Sequence, residues 1–114
     1  MPQITVDHSA SLDDAFDGPG FARALHPLVA ATVDTRIEGC KTRLRRVEGT
    51  VVGDGTGDDA LIHVGIALLP GRGDELKARL TESVVALVGD FVEPGVTVHV
   101  SAEVRDLEAS YRKR

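Results

Sequence analysis

The chain runs through the same order of elements twice, and this limits its fold more than any other feature. ITVD, residues 4–7, alternates apolar and polar positions as a strand does. Phe21, Leu25, Leu28, Val29 and Thr32 then recur at helical spacing, and KTRLRRVEGTVV, residues 41–52, reads as a second strand with a dense basic face. Gly53-Asp-Gly-Thr-Gly-Asp-Asp59 makes a turn, since glycine and aspartate tolerate the positive φ angles that a reversal needs. The order then repeats: a strand at ALIHVGIALL, a helix at DELKARLTESVVALVGDFV and a strand at VTVHVSAEV. A strand–helix–strand unit closes with its strands parallel, its crossover right-handed and its helix on one face of the sheet. Two such units predict an α+β fold, a four-stranded sheet with two helices on one face, in a single domain spanning 1–114.

The local signals add detail. Ser11-Leu-Asp-Asp14 resembles a helix-capping pattern, and Pro19-Gly20 punctuates the approach to the first helix. Pro27 lies inside the helical run and leaves the Arg23 carbonyl without its partner, which predicts a kink or a helix that begins there. In the second helix Leu76, Leu80, Val84, Leu87, Val88 and Phe91 form one stripe, and Asp74 is placed to cap it. Val96, Val98, Val100, Ala102 and Val104 share one face of the last strand. The third strand reads as apolar on both faces, yet two helices cover only one. The expectation is that a second copy of the chain covers the other.

Bulk properties exclude several classes of function. A chain of 114 residues buries roughly 60–68% of its unfolded surface, enough for one modest core. With 4% aromatics and no Trp, that core is built from Val, Leu, Ile and Ala, and stacking platforms for single-stranded nucleic acid are not expected. A net charge of −5 argues against a duplex-binding protein, so no nucleic-acid partner is expected. The start of the chain has no basic-then-apolar leader, and the apolar run near ALIHVGIALLP is far too short to span a bilayer, so no membrane partner is expected either. One cysteine, Cys40, rules out an internal disulfide and suits a reduced, cytoplasmic setting. His8, His26, His63 and His99 lack metal-ligand spacing, and GDGTG leads into a strand with no Lys-Ser/Thr after it, so neither a metal nor a phosphate cofactor is expected.

The opening MPQITVDHS raises a chemical question. Proline is an ordinary first residue of a strand, where its missing N–H breaks no ladder bond. Pro2 also follows the initiator methionine, and trimming that methionine leaves a free secondary amine fixed at the start of a strand. Lys41, Arg43 and Arg45 share one face of the second strand, with Arg46 on the other. Read alone, that run is a solvated strand face and Gly71-Arg72-Gly73 is a plain loop.

The Met-Pro start, the duplicated units, Pro19-Gly20, Pro27, Ala30-Ala-Thr32, Gly39-x-x-x-Arg43, Gly53-Asp-Gly55, Ala60, His63 and Gly71-Arg72 together resemble the tautomerase superfamily, and within it the 5-carboxymethyl-2-hydroxymuconate isomerase family. The resemblance runs from Pro2 to about Val104. It implies a homotrimer whose amino-terminal proline is a base and whose arginines hold a dienol with two or three carboxylates. Carried over, the base falls on Pro2 and one substrate-binding arginine on Arg72. A second family arginine falls on Lys41, which keeps the charge but lacks the bidentate fork, and Arg43, on the same strand face, is placed to take over that role. The chain stops at YRKR sooner than the resemblance implies, which puts any arm reaching a neighbouring subunit in question.

The chemistry explains why such residues belong together. Moving a proton along a conjugated acid needs a base that is unprotonated near neutral pH, and cations that favour a dienolate-like transition state. Burial and neighbouring cations both disfavour the protonated amine. No metal is required. With Met1 attached, however, the Pro2 nitrogen is an amide and cannot act as a base. A tautomerase-fold trimer that binds or scaffolds without catalysis is therefore the other class of function that the residues allow.

Overall fold

Strand alternation and helical spacing resolve into six principal elements in the computed structural model, which describes Met1–Arg114. These are β1 (Gln3–Ser9), α1 (Gly18–Val33), β2 (Lys41–Val47), β3 (Ala60–Leu68), α2 (Asp74–Val88) and β4 (Val98–Asp106). The sheet order is β2-β1-β3-β4. β1 runs parallel to β2, with Gln3 opposite Lys41, and β3 runs parallel to β4, with Ala60 opposite Val98. β1 and β3 join the two units antiparallel, with Ile4 opposite Ile66. This is the pair of βαβ units expected from the repeated order. No helix is long and apolar enough to cross a membrane.

The registers put all even-numbered strand residues on the helix-covered face. Ile4 and Val6 of β1 and Ile62, Val64, Ile66 and Leu68 of β3 are fully buried there, against Phe21, Leu25 and Val29 of α1 and Leu80, Val84 and Val88 of α2. Three phenylalanines make up for the scarcity of aromatics by meeting one another. Phe21 lies 5.9 Å from Phe16 and 6.0 Å, edge to face, from Phe91, near the mouth of α1.

Helix boundaries differ from the sequence reading for local reasons. α1 begins at Gly18 and contains Pro27 rather than starting at it. Its cap is Asp17, whose carboxylate accepts the Gly20 N–H at 3.0 Å, and Pro19 occupies the first turn, where no N–H is needed. Ser11-Leu-Asp-Asp14 caps nothing; Ala10–Leu12 is a single 3-10 turn. At α2, Gly73 holds the cap position without a side-chain bond, and Asp74 is the first helical residue, where its charge favours the helix dipole. β2 ends at Val47, short of the expected Val52.

The larger correction concerns the open face. β3 contributes Leu61, His63, Gly65 and Ala67 to it, so the strand is apolar there only in part. β1 adds Gln3, Thr5 and Asp7, β2 adds Lys41, Arg43 and Arg45, and β4 adds Ser101, Glu103 and Arg105. The uncovered face is charged and polar, because four registers set its composition and only one of the four strands is apolar on it.

Leu80 is completely buried between α2 and the sheet. Leu80→Ala should cost about 2–5 kcal/mol. In a denaturant titration the midpoint should fall with an unchanged slope.

Candidate active site

The site grows from the edge where two strands begin side by side. The Lys41 N–H donates to the Pro2 carbonyl at 3.1 Å, the first rung before the β1–β2 ladder. Pro2 is buried and Met1 half-buried. The turn Ile37–Gly39 leads into β2 and passes over Met1. A Cβ on Gly39 would lie 2.8 Å from the Met1 Sδ, so glycine here lets the Met1 side chain pack against the turn without moving.

Arg72 arrives from the loop between β3 and α2, where Gly71, at φ 126°, permits a turn closed to other residues. Arg72 Nη2 donates to the Val33 carbonyl at 3.0 Å, and Nη1 to the Leu69 carbonyl at 3.2 Å. The first bond satisfies a carbonyl of the last turn of α1, which has no partner within the helix. Arg72 therefore has a structural job that Gly-Arg-Gly did not reveal.

The terminal amine on Met1 is held below its ordinary value. Burial is the largest cause, followed by the cations Arg72, Lys113 and Lys41, while Cys40 opposes them. Burial in turn pushes the Cys40 thiol up, which keeps it protonated and chemically quiet.

Lys41 and Arg43 line a cleft of about 630 Å³ together with Met1, Gln3, Glu38 and the segment Tyr111–Arg114. Arg43 Nη1 donates to Gln3 Oε1 at 2.9 Å, and Gln3 Nε2 donates to the Tyr111 hydroxyl at 3.2 Å. The remaining cations of β2 are committed elsewhere. Arg45 grips Asp7 through bonds of 2.6 and 3.1 Å, and this hydrogen bonding holds the Asp7 carboxyl below the usual range. Arg46, on the opposite face, binds Asp13 and Glu48. Of the basic run, then, only Lys41 and Arg43 face the cleft without a carboxylate partner.

The structure thus brings Met1, Lys41 and Arg43 to one cleft, with Pro2, the next residue in the chain, buried beside it. Arg72 is not on its wall but bears on the amine through its charge. The residues that sequence reasoning missed are in Tyr111–Arg114. Their only sequence signal is three basic side chains after an aromatic, with no period to place them. Further along the open face, a second concavity of about 460 Å³ holds His63, whose Nδ1 lies 2.7 Å from the Ser101 hydroxyl and whose Nε2 lies 3.4 Å from Glu103.

Comparison with known proteins bears on the family and the fold. The model of a family described as 5-carboxymethyl-2-hydroxymuconate isomerase matches residues 2–113. The 5-carboxymethyl-2-hydroxymuconate Delta-isomerase of Escherichia coli is 27% identical over 88 residues, which cover 77% of this chain and 70% of that one. The crystal structure of a 5-carboxymethyl-2-hydroxymuconate isomerase from Deinococcus radiodurans R1 superposes with a TM-score of 0.82 at 20% identity, covering 98% of this chain and 88% of that chain. A fused 4-OT wild-type symmetric trimer superposes with a TM-score of 0.68 at 19% identity, covering 96% and 89%. The fold is the tautomerase-like one.

The double role of Arg72 has a measurable signature. Arg72→Ala should lower stability by about 1–3 kcal/mol in chemical unfolding, because two backbone carbonyls lose charged donors. It should also raise the pKa of the terminal amine. Arg72→Lys keeps the charge but cannot fork across both carbonyls, so it should leave the amine largely unchanged while still losing stability.

Proposed function

The chain belongs to the 5-carboxymethyl-2-hydroxymuconate isomerase family, and from that membership we propose that it shifts a proton within a carboxylate-rich dienol, with Pro2 as base once Met1 is removed. The observation that carries this reading is the setting of the terminal amine. The amine of Met1, one residue ahead of the Pro2 nitrogen, is lowered by burial first and then by the charges of Arg72, Lys113 and Lys41, beside a cleft with two unpaired cations. Both influences favour the neutral, basic form.

The chemistry follows from that setting. The secondary amine of Pro2 takes the hydroxyl proton of the dienol. The electron pair moves along the conjugated system to the far carbon, and the prolinium returns the proton there. One double bond becomes a carbonyl, and no atom is gained or lost. The negative charge that develops is what the surrounding cations stabilise. The family's named substrate type carries three carboxylates. Lys41 supplies a point charge for one and Arg43 a fork for another, while the charge of Arg72 disfavours the protonated amine and its N–H groups are not all used by the backbone. The buried Cys40 thiol fits a reducing cytoplasm, where this reading places the enzyme.

Two measurements test the proposal. In trimmed protein, kcat/KM for dienol acids should rise with pH through an apparent pKa below that of a free prolyl amine, because the cations favour the base form. An uncleavable N-terminal extension should abolish turnover while the fold persists. Equal turnover by blocked and trimmed protein would overturn the base assignment, and the non-catalytic binding reading would replace it.

We also propose that the chain is a homotrimer. The open sheet face offers both signs of charge, Arg45 and Arg105 against Asp7 and Glu103, which a head-to-tail ring of copies can match. A similar fold exists as a symmetric trimer. Sedimentation equilibrium at micromolar concentration should return three times the 12.1 kDa of one chain; the mass of a single chain would overturn the assembly.

A further inference from the structure

The segment after β4 forms one wall of the amine cleft, and only the charge of Lys113 has entered the chemistry above. Its position is built by consecutive anchors. The Leu107 N–H reaches the Leu68 carbonyl and carries the chain past the end of β3. The Tyr111 N–H closes a turn on the Glu108 carbonyl at 3.0 Å. The hydroxyl of the half-buried Tyr111 then accepts a bond from Gln3 Nε2, while Gln3 Oε1 accepts one from Arg43. Gln3 thereby ties the segment to the first residue of β1 and to a cleft cation on β2. Arg112 is folded onto its own backbone, donating to the carbonyls of Ala109 and Tyr111 at 2.9 and 2.8 Å. Lys113 and Arg114 are left on the cleft wall, exposed and without an anionic side-chain partner.

We propose that Tyr111–Arg114 is a substrate-binding wall, in which Lys113 and Arg114 hold the carboxylate of the dienol farthest from Pro2 and Tyr111, through Gln3, positions them. Charge balance supports this. Glu38 is the only carboxylate side chain on the cleft wall, against Lys41 and Arg43 on one side and Arg112, Lys113 and Arg114 on the other, and it already meets Arg36 at 3.5 Å. A monocarboxylate would leave most of that positive charge unmatched, whereas a substrate with two or three carboxylates spans it. Lys113 also acts on the terminal amine, alongside Arg72 from the β3–α2 loop and Lys41 at the head of β2, with the Cys40 thiol as the opposing group. The wall therefore serves binding and base strength together.

This inference rests on the isomerase reading, so its test includes measurements that do not need turnover. Compare trimmed wild type with Lys113→Ala, Lys113→Arg, Tyr111→Phe and a chain ending at Ser110. The first readout is the pKa of the terminal amine, from the pH dependence of its acylation. It should rise in Lys113→Ala and in the shortened chain, and Lys113→Arg should restore it. The second is calorimetric binding of propane-1,2,3-tricarboxylate, an inert tricarboxylate. Its Kd should weaken about tenfold on shortening, the sum of two or three exposed charged contacts. The third is KM, which should rise for a tricarboxylate dienol and stay level for a monocarboxylate one, with kcat changing less. Tyr111→Phe should give an intermediate loss on the same substrates. An unchanged amine pKa and unchanged tricarboxylate binding in the shortened chain would overturn the wall. If those two readouts shift and no dienol is turned over by any trimmed form, the isomerase reading fails and the wall stands as an anion site.

Discussion

The structure depends on β1 being paired on both of its edges. The strand lies parallel to β2 and antiparallel to β3, so it belongs to both βαβ units at once and has no freedom to slide. A slip of one residue would turn Ile4 and Val6 out to the open face and bring Gln3, Thr5 and Asp7 into the core. Register and burial therefore enforce each other. Because β1 is fixed along its length, its first residue is fixed too, and the Lys41–Pro2 bond sets the head of β2 beside it. A terminus, ordinarily the loosest part of a chain, is held here at a defined place beside named charges.

The distribution of charge follows from the same sheet. β2 carries four basic residues, and the fold sorts them by their distance from the strand's start. Arg45 and Arg46, toward the far end, are matched by Asp7 on β1 and by Asp13 and Glu48 in the neighbouring turns. Near the start, Arg43 meets the Gln3 amide and Lys41 has no carboxylate partner. Ion pairs of that exposed kind add little stability. Their effect is to make the strand's far half neutral while its near half stays positive, in a chain whose net charge is negative.

Much of this fold was legible because its signals are periodic. Alternation in ITVD and VTVHVSAEV and the Leu76–Leu80–Val84 spacing each report a local period, and the order of elements then leaves few topologies. Features without a period were less accessible. Asp17 rather than Ser11 caps α1 because Phe16 and Gly18 place it at the helix mouth, a tertiary matter. Pro27 lies within α1, where sequence alone could as well have begun the helix. The open face was misjudged because β3 was read by itself, whereas the face is a product of four registers. Arg72 was found by resemblance, but its bond to Val33 depends on how the β3–α2 loop meets the end of α1. Lys113 was out of reach, since its place depends on a turn, a tyrosine and a glutamine distant in the sequence.

Arg72 reaches from the second βαβ unit to the last carbonyl of the first unit's helix, so one side chain stitches the two halves of the duplication together. The same charge bears on the amine. Ordinarily a cation in an active site strains the fold that holds it, and variants that lose activity gain stability. On the proposed isomerase reading, the two quantities fall together here. In a cell, a chain altered at this position would be depleted by quality control as well as impaired in its chemistry. A screen that scores growth would then overstate the contribution of Arg72 to the reaction unless protein abundance were measured beside it.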